Sequence, residues 1–384
     1  MNLVHSLAKM KKRRIMVLSA GGPHAGVQCL YLLVQPSGWE VRAHAFVPYP
    51  PAVKELLTQF REQGTTTAGL EELAALDRKV TLFLGECAEA LLSRLPGFRR
   101  RTDLVCVNRP VLWKGPVEEG RDDGEWSLEP GSVTELSARL SAPVLTDFTR
   151  ASYSFESAVG LPLQAGLLSL SRGLGAPLAL INIGLLSRAF LTDSTGTAIL
   201  VDRQLAPGTL LMNLAAREWC PDGFDRDGTF AGQGRADDEC ADKLCRALDE
   251  MGAPETSATR QDFSVLLDHA SLQGKEPHDK LATLTAMNAR SLYLFLKSVH
   301  EDLVSLGTLW VSGGGSHNLT LLEYLQAYFD PVSVRRVETL GFPPEALVPA
   351  ALGLSVNAYL DGRPVWFTAD MPPRPESLGT WVLA

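Results

Sequence analysis

Four short stretches carry residue types suited to phosphate or to cations. In VSGGGSHNLTLLEYL (311–325) a strand-like run ends in Gly313, Gly314 and Gly315. It passes into a helical pattern whose first turn holds Ser316, His317 and Asn318. Glycines admit close backbone approach, and a helix start offers free N–H groups and the positive end of the helix dipole. The pattern suits the ribose and phosphates of a nucleotide, and it equally suits a tight strand-to-helix crossover. QLAPGT (204–209), also between a strand and a helix, offers Pro207 and Gly208 for the same purpose. LSAGGPHAGVQ (18–28) interrupts two apolar runs with Gly21, Gly22 and Gly26, leaving peptide N–H groups bare for phosphate. It contains no acid to hold a metal or activate an acceptor. FDRDG (224–228) places two acids one residue apart, without the spacing and final Glu of a calcium loop. The favoured reading there is an Asx-turn that caps its own loop.

These loops need a scaffold, and 384 residues are enough for two domains. Apolar residues at 45% and charged residues at 21% describe a soluble globular chain. No apolar run approaches the roughly 18–20 residues of a membrane-spanning helix. A formal charge of −8 argues against a general nucleic-acid binder. KKRR at 11–14 reads as a solvated flank, and the apolar stretch after it is too short for a secretory signal, so a cytoplasmic location is expected. Cys29, Cys87, Cys106, Cys220, Cys240 and Cys245 form no CxxC pair and are expected to be free thiols, mostly buried. The histidines show no HxxxH spacing, so no dedicated metal site is expected.

Periodicity predicts strands at 14–19, 27–35 and 40–47, then helices near 51–61 and 68–94. A buried strand at 103–107, a polar surface loop at 113–131, a helix at 134–142 and a strand at 143–148 follow. A helix near 161–173 introduces a second run of three strands, in APLALINIG, SRAFLTD and TAILVD, the last two joined by the turn DSTG (193–196). Helices are then expected at 209–219, 237–251, 260–268, 279–304, 317–329 and 345–360, with strands in TLWVSGG and VSVRRV. The order strand, strand, strand, helix thus occurs twice, which predicts two similar domains.

In this order the motifs resemble those of the anhydro-N-acetylmuramic acid kinases, members of the actin-like, sugar-kinase and Hsp70 superfamily. DKLATLTAMNARSL (279–292) matches the family's D-x-x-A-T-L-T-x-x-T-A-x-S-I, with Asn288 in place of Thr. SGGGSHN (312–318) matches its adenosine loop, FDRDG its D-x-D-G, and SLEPGSVTELSARLSAPVLTDF (127–148) the segment leading into D-F-R. Gly341 to Pro364 matches the last helix and the G-x-P after it. The resemblance implies an α/β fold of two ribonuclease-H-like (actin-like ATPase) domains facing across a cleft. Domain I would hold 1–142 plus about 365–384, and domain II 143–364 with helical additions. It further implies ATP and magnesium as cofactors, an amino sugar as substrate, a homodimer, and a place in aminosugar metabolism and peptidoglycan recycling. In the implied reaction an Asp after D-F-R activates a water that opens the sugar's anhydro bridge while ATP phosphorylates the released hydroxyl.

The departures from the family pattern fall on its chemistry. Ala20, Gly21 and Gly22 stand for Gly-Thr-Ser of the first phosphate loop, and Ala25 and Gln28 stand for its two acids. Val107 to Val111 replaces S-H-G-Q-T without the His, and the base position falls on Ser152 or Tyr153. N-I-G-G-I-A-N becomes NIGLLSR (182–188), D-T-G-P-G-N becomes QLAPGT, and a late Glu-Ala becomes Val348 and Pro349. Losing a general base alone costs about 100- to 10,000-fold. The expected protein is therefore a catalytically impaired homologue that keeps nucleotide or sugar binding, through Gly21, Gly22, Gly26, Pro207, Gly208, Gly313, Gly314, Gly315 and Asn318, with no metal site. An active kinase with rearranged acids, Asp147 or Glu156 serving as base, is the alternative. A third is an interaction scaffold whose cleft binds nothing.

Overall fold

The computed structural model describes residues 3–21, 26–63, 69–97, 101–114, 127–148, 162–174, 177–251, 263–341, 343–363 and 378–383. Gly22, Ala25, Ser152, Tyr153, Glu156 and Pro364 lie outside the described residues. The chain divides into two compact units, Met1–Gly173 with Val348–Ala384, and Leu174–Leu347.

The first unit opens with helix α1 (Leu3–Ala8), followed by strands β1 (Arg13–Ala20), β2 (Gly26–Gln35) and β3 (Gly38–Pro48). Helices α2 (Pro51–Gln63) and α3 (Leu70–Ser93) lead to β4 (Leu104–Asn108). A two-stranded ribbon, β5 (Trp113–Lys114) with β6 (Ser127–Leu128), stands inside the segment expected to be a plain surface loop. Helix α4 (Thr134–Leu140), strand β7 (Val144–Thr146) and helix α5 (Gln164–Leu174) complete the continuous part. The sheet runs β13-β7-β4-β1-β2-β3, where β13 is Thr380–Val382. β1, β2 and β3 form an antiparallel meander, while β1, β4 and β7 are parallel.

Both faces of β1 are covered, which explains why it reads as an uninterrupted apolar run. Met16 and Leu18 pack with Leu57, Phe60, Leu76, Val80 and Phe83 of α2 and α3. A methyl group added at Gly353 would meet Leu32, Val17 and Ile15, so the last helix lies on the opposite face. The basic cluster is the expected solvated flank only at Lys11 and Lys12. Arg13 is buried, and its guanidinium donates to the carbonyls of Leu7 and Ala8, to Asn357 and to Asp361. Arg14 pairs with buried Asp103. Asn357, Asp361 and Asp103 lie far along the chain, where no local charge pattern reveals them.

The second unit repeats the plan. Strands β8 (Ala179–Ile183), β9 (Leu186–Thr192) and β10 (Ile199–Pro207) form a meander, followed by helices α6 (Leu210–Ala216), α7 (Asp238–Met251) and α8 (Pro277–Val299). β11 (Thr308–Ser312), α9 (Leu319–Phe329) and β12 (Ser333–Arg336) complete it, and α10 (Leu347–Leu360), which follows, belongs from Val348 onward to the first unit. The order β10-β9-β8-β11-β12 is the third-second-first-fourth-fifth arrangement of the first unit, and β8, β11 and β12 are parallel. Residues 263–268 form a 3-10 turn, not the expected helix.

The division differs from the expected limits at 142 and 364. Residues 143–173 stay with the first unit because β7 pairs with β4, and Gly166 of α5 donates to Ser355 of α10 at 2.8 Å. Five of the six cysteines are buried and all are free, as expected. Burial pushes the Cys245 thiol up to about 12.

Candidate functional site

In the second unit, the loops after β10 and β11 converge on the turn between β8 and β9. Gly208 donates its N–H to the Leu185 carbonyl and Thr209 donates to Gly184, both at 2.8 Å. A Cβ at Gly208 would lie 2.2 Å from the Gly184 oxygen. On the other side Gly313 has a φ of +80°, and a Cβ there would lie 2.5 Å from the Ile183 oxygen. Gly315 faces the Ile183 side chain just as closely, at 2.3 Å. Glycine is required at these three places by backbone geometry and close approach. Gly314 differs: a Cβ there meets nothing within 4 Å. Of the four, it is the one with open space where a side chain would stand. Pro207 closes β10 opposite Leu186.

The flanking side chains hold these turns in place. The Ser312 hydroxyl donates to Asn182 Oδ1 at 3.0 Å, and Ser316 donates to the Gly313 carbonyl at 2.7 Å. His317 pairs with Glu345, and the Gly313 N–H donates to the Pro344 carbonyl at 3.2 Å, tying the loop to residues 343–347. Asn318 is the N-cap of α9, its Oδ1 accepting from Leu321 N–H at 2.8 Å. Its side-chain oxygen is thereby committed to the helix start. Gly228 packs against it, bringing the FDRDG loop under α9. Asp225 accepts from the N–H groups of Phe230 and Ala231 at 2.8 and 2.9 Å, so it caps the loop as expected, through residues five and six on and not through an Asx-turn.

Two further polar side chains border the loop after β10, and local sequence gives no sign of them. Asn288, inside α8, donates from Nδ2 to the Gly208 carbonyl, while its Oδ1 is buried without a partner among the described residues. The Ser187 hydroxyl, also buried and unpartnered among the described residues, lies 2.9 Å from where a Gly208 Cβ would stand. The next residue, Arg188, is spent in an ion pair with Asp202 at 2.6 Å.

The first unit presents a different picture at the ends of its parallel strands. Gly21 donates to the Gly26 carbonyl at 2.8 Å, and its own carbonyl accepts from the Tyr49 hydroxyl. Burial, with Cys87 nearby as a smaller cause, pushes the Tyr49 phenol well up, so it serves as a donor at neutral pH. Gly26 is a packing glycine: a Cβ would lie 2.2 Å from the Val47 oxygen. The Gln28 Oε1 accepts from His44 Nε2 at 2.8 Å, a contact between neighbouring strands. Asp147 follows β7 with a φ of +60°, a conformation costing about 1–2 kcal/mol in most residues and less in Asp. Arg109, which follows β4, binds it. The guanidinium pairs with Asp147, donates to the carbonyls of Glu129 and Gly131 at 2.8 and 3.1 Å, and lies 3.7 Å from the Glu129 carboxylate.

A doubled sheet in this strand order, with small-residue turns at the strand ends, defines a mixed α/β protein of the actin-like ATPase class. The family model for anhydro-N-acetylmuramic acid kinase matches residues 13–369, and the chain belongs to that family. The anhydro-N-acetylmuramic acid kinase of Rhodopseudomonas palustris strain BisB18 is 27% identical over 327 residues, covering 83% of this chain and 85% of that one. The Salinibacter ruber protein of the same name is 23% identical over 389 residues, covering 95% and 94%. Among solved structures, the activator of the 2-hydroxyisocaproyl-CoA dehydratase from Clostridium difficile with bound ADPNP aligns with a TM-score of 0.45 at 10% identity. That alignment covers 92% of this chain and 96% of the activator.

Proposed function

We propose that this member of the family binds a nucleoside triphosphate through the loops at 207–209 and 313–318 and does not phosphorylate the anhydro sugar. The observation that carries the reading is the glycine arrangement of the second unit. Gly208, Gly313 and Gly315 seat two loops on one turn, and Gly314 is left with open space beside its backbone. Gly208, Thr209 and Gly313 spend their own N–H groups within these turns, so the room beside Gly314 is what admits the phosphates and ribose of a nucleotide.

Phosphoryl transfer depends on positioned groups that activate the acceptor and neutralise developing charge. Of the two acids that a rearranged mechanism would call on, Asp147 is committed to Arg109, and Glu156 lies outside the described residues. Gln28, at a position where the family has an acid, offers an amide that is already engaged with His44. The protein then acts beside peptidoglycan recycling in the cytoplasm as a nucleotide- or amino-sugar-responsive partner.

The test pairs binding with turnover. ATP raises the melting temperature of the full chain, and incubation with ATP and the anhydro sugar yields no phosphorylated product above the enzyme-free background. Steady turnover overturns the loss of transfer. Absence of any thermal shift with ATP, with or without magnesium, overturns nucleotide binding and leaves the scaffold reading.

A further inference from the structure

Magnesium is the cation the family implies, and it takes oxygen ligands, with carboxylates as the anionic ones. In the first unit, Asp147, which follows β7, and Glu129 are the acids that face Arg109 after β4. Their side chains are 13% and 1% exposed. Arg109, itself 13% exposed, already lies against both carboxylates, and two backbone carbonyls take its other amino group. Its Nε has no acceptor among the described residues. A divalent ion at this place would stand against a fixed positive charge. These residues do not fit magnesium.

We propose that Arg109 is a built-in cation, its guanidinium filling the role that a metal ion would have between Asp147 and Glu129. Two carboxylates close together in a low-dielectric site cannot both stay ionised unless a positive charge compensates them. A guanidinium suits this purpose because it is always charged and presents a fixed fork of donors. The sequence around it agrees: Arg109 stands in VNRPV, where the family motif has a glycine and no cation.

Manganese, followed by the electron paramagnetic resonance of the free ion, tests the built-in charge on the full chain without nucleotide. The wild type takes up no stoichiometric manganese up to about 1 mM, the weak end of protein sites for hard divalent ions. Arg109→Gln gains one ion per chain, at least about tenfold tighter, a clear step on the affinity scale. The double variant R109Q/D147N loses it again. Stoichiometric manganese on the wild type, or no gain in R109Q, overturns the proposal. If R109Q does not fold, R109Q/D147N decides, because removing both charges relieves the repulsion. Recovery of the fold supports the proposal, and failure to recover it overturns it.

Discussion

At the scale of single residues, the charged groups that matter most to this molecule are those whose partners lie far away in sequence. Arg13 is buried and bridges the carbonyls of Leu7 and Ala8 to Asn357 and Asp361. Arg13→Ala leaves these acceptors without their donor and should cost about 2–4 kcal/mol, read by urea denaturation. Arg13→Lys should recover only part, since a point charge cannot reproduce the guanidinium fork. An unchanged midpoint in R13A would refute that account. Nothing in KKRR marks its third residue as buried, because half of its partners come from a segment more than three hundred residues on. Asp193 shows the opposite case, a local motif that was legible as the turn DSTG. The Ala198 N–H, and after it the Thr195 hydroxyl, hold the Asp193 carboxyl down from 3.8 to about 2. A depressed folded value means a stabilising contribution that is present above the unfolded value and lost as pH falls through the folded one. The window therefore runs from about pH 4 to about pH 2. Across it the Ala198 amide should lose hydrogen-exchange protection in the wild type, and Asp193→Asn should lack that titration.

At the scale of elements, strand and helix order was readable because both sheets have apolar strands and amphipathic or buried helices of ordinary length. What each glycine does was not readable. GGG in sequence is one pattern, yet the three residues have different duties. Gly313 needs its φ of +80° and Gly315 its contact with Ile183, whereas Gly314 has open space. Gly313→Ala should therefore destabilise the protein by about 1–3 kcal/mol through backbone strain and collision with the Ile183 carbonyl. Gly314→Val should leave stability within about 0.5 kcal/mol, the usual range for an exposed position. The same G314V should weaken ATP binding at least about tenfold by crowding the open backbone. A titration of each variant with ATP, set beside its denaturation midpoint, separates the two roles. G314V binding ATP as the wild type does would remove Gly314 from the nucleotide site. Asn318 was legible as part of the motif but not in its duty, because capping α9 depends on where the helix begins, and it begins after a 3-10 turn.

At the scale of the whole molecule, the repeated run of three strands and a helix was enough to foresee two similar units. It was not enough to place their limits, which depend on pairings between distant segments: β7 with β4, and α10 with α5 and β1. The first unit is thus discontinuous, and its stability depends on a helix that the chain makes last. Within α10, Leu352, Leu354, Val356 and Leu360 are all buried. At roughly 1.5–3 kcal/mol each, their burial amounts to about 6–12 kcal/mol, comparable with the whole stability of a typical domain, about 5–15 kcal/mol. The helix also brings Asn357 to Arg13 and Ser355 to Gly166. A chain ended after Leu347 should therefore lose the first unit while the second keeps its own sheet and core. Limited proteolysis with mass spectrometry should then find cuts throughout 3–173 and protection across 177–341. Protection of β1 to β4 in the shortened chain would show that the first unit is complete without α10.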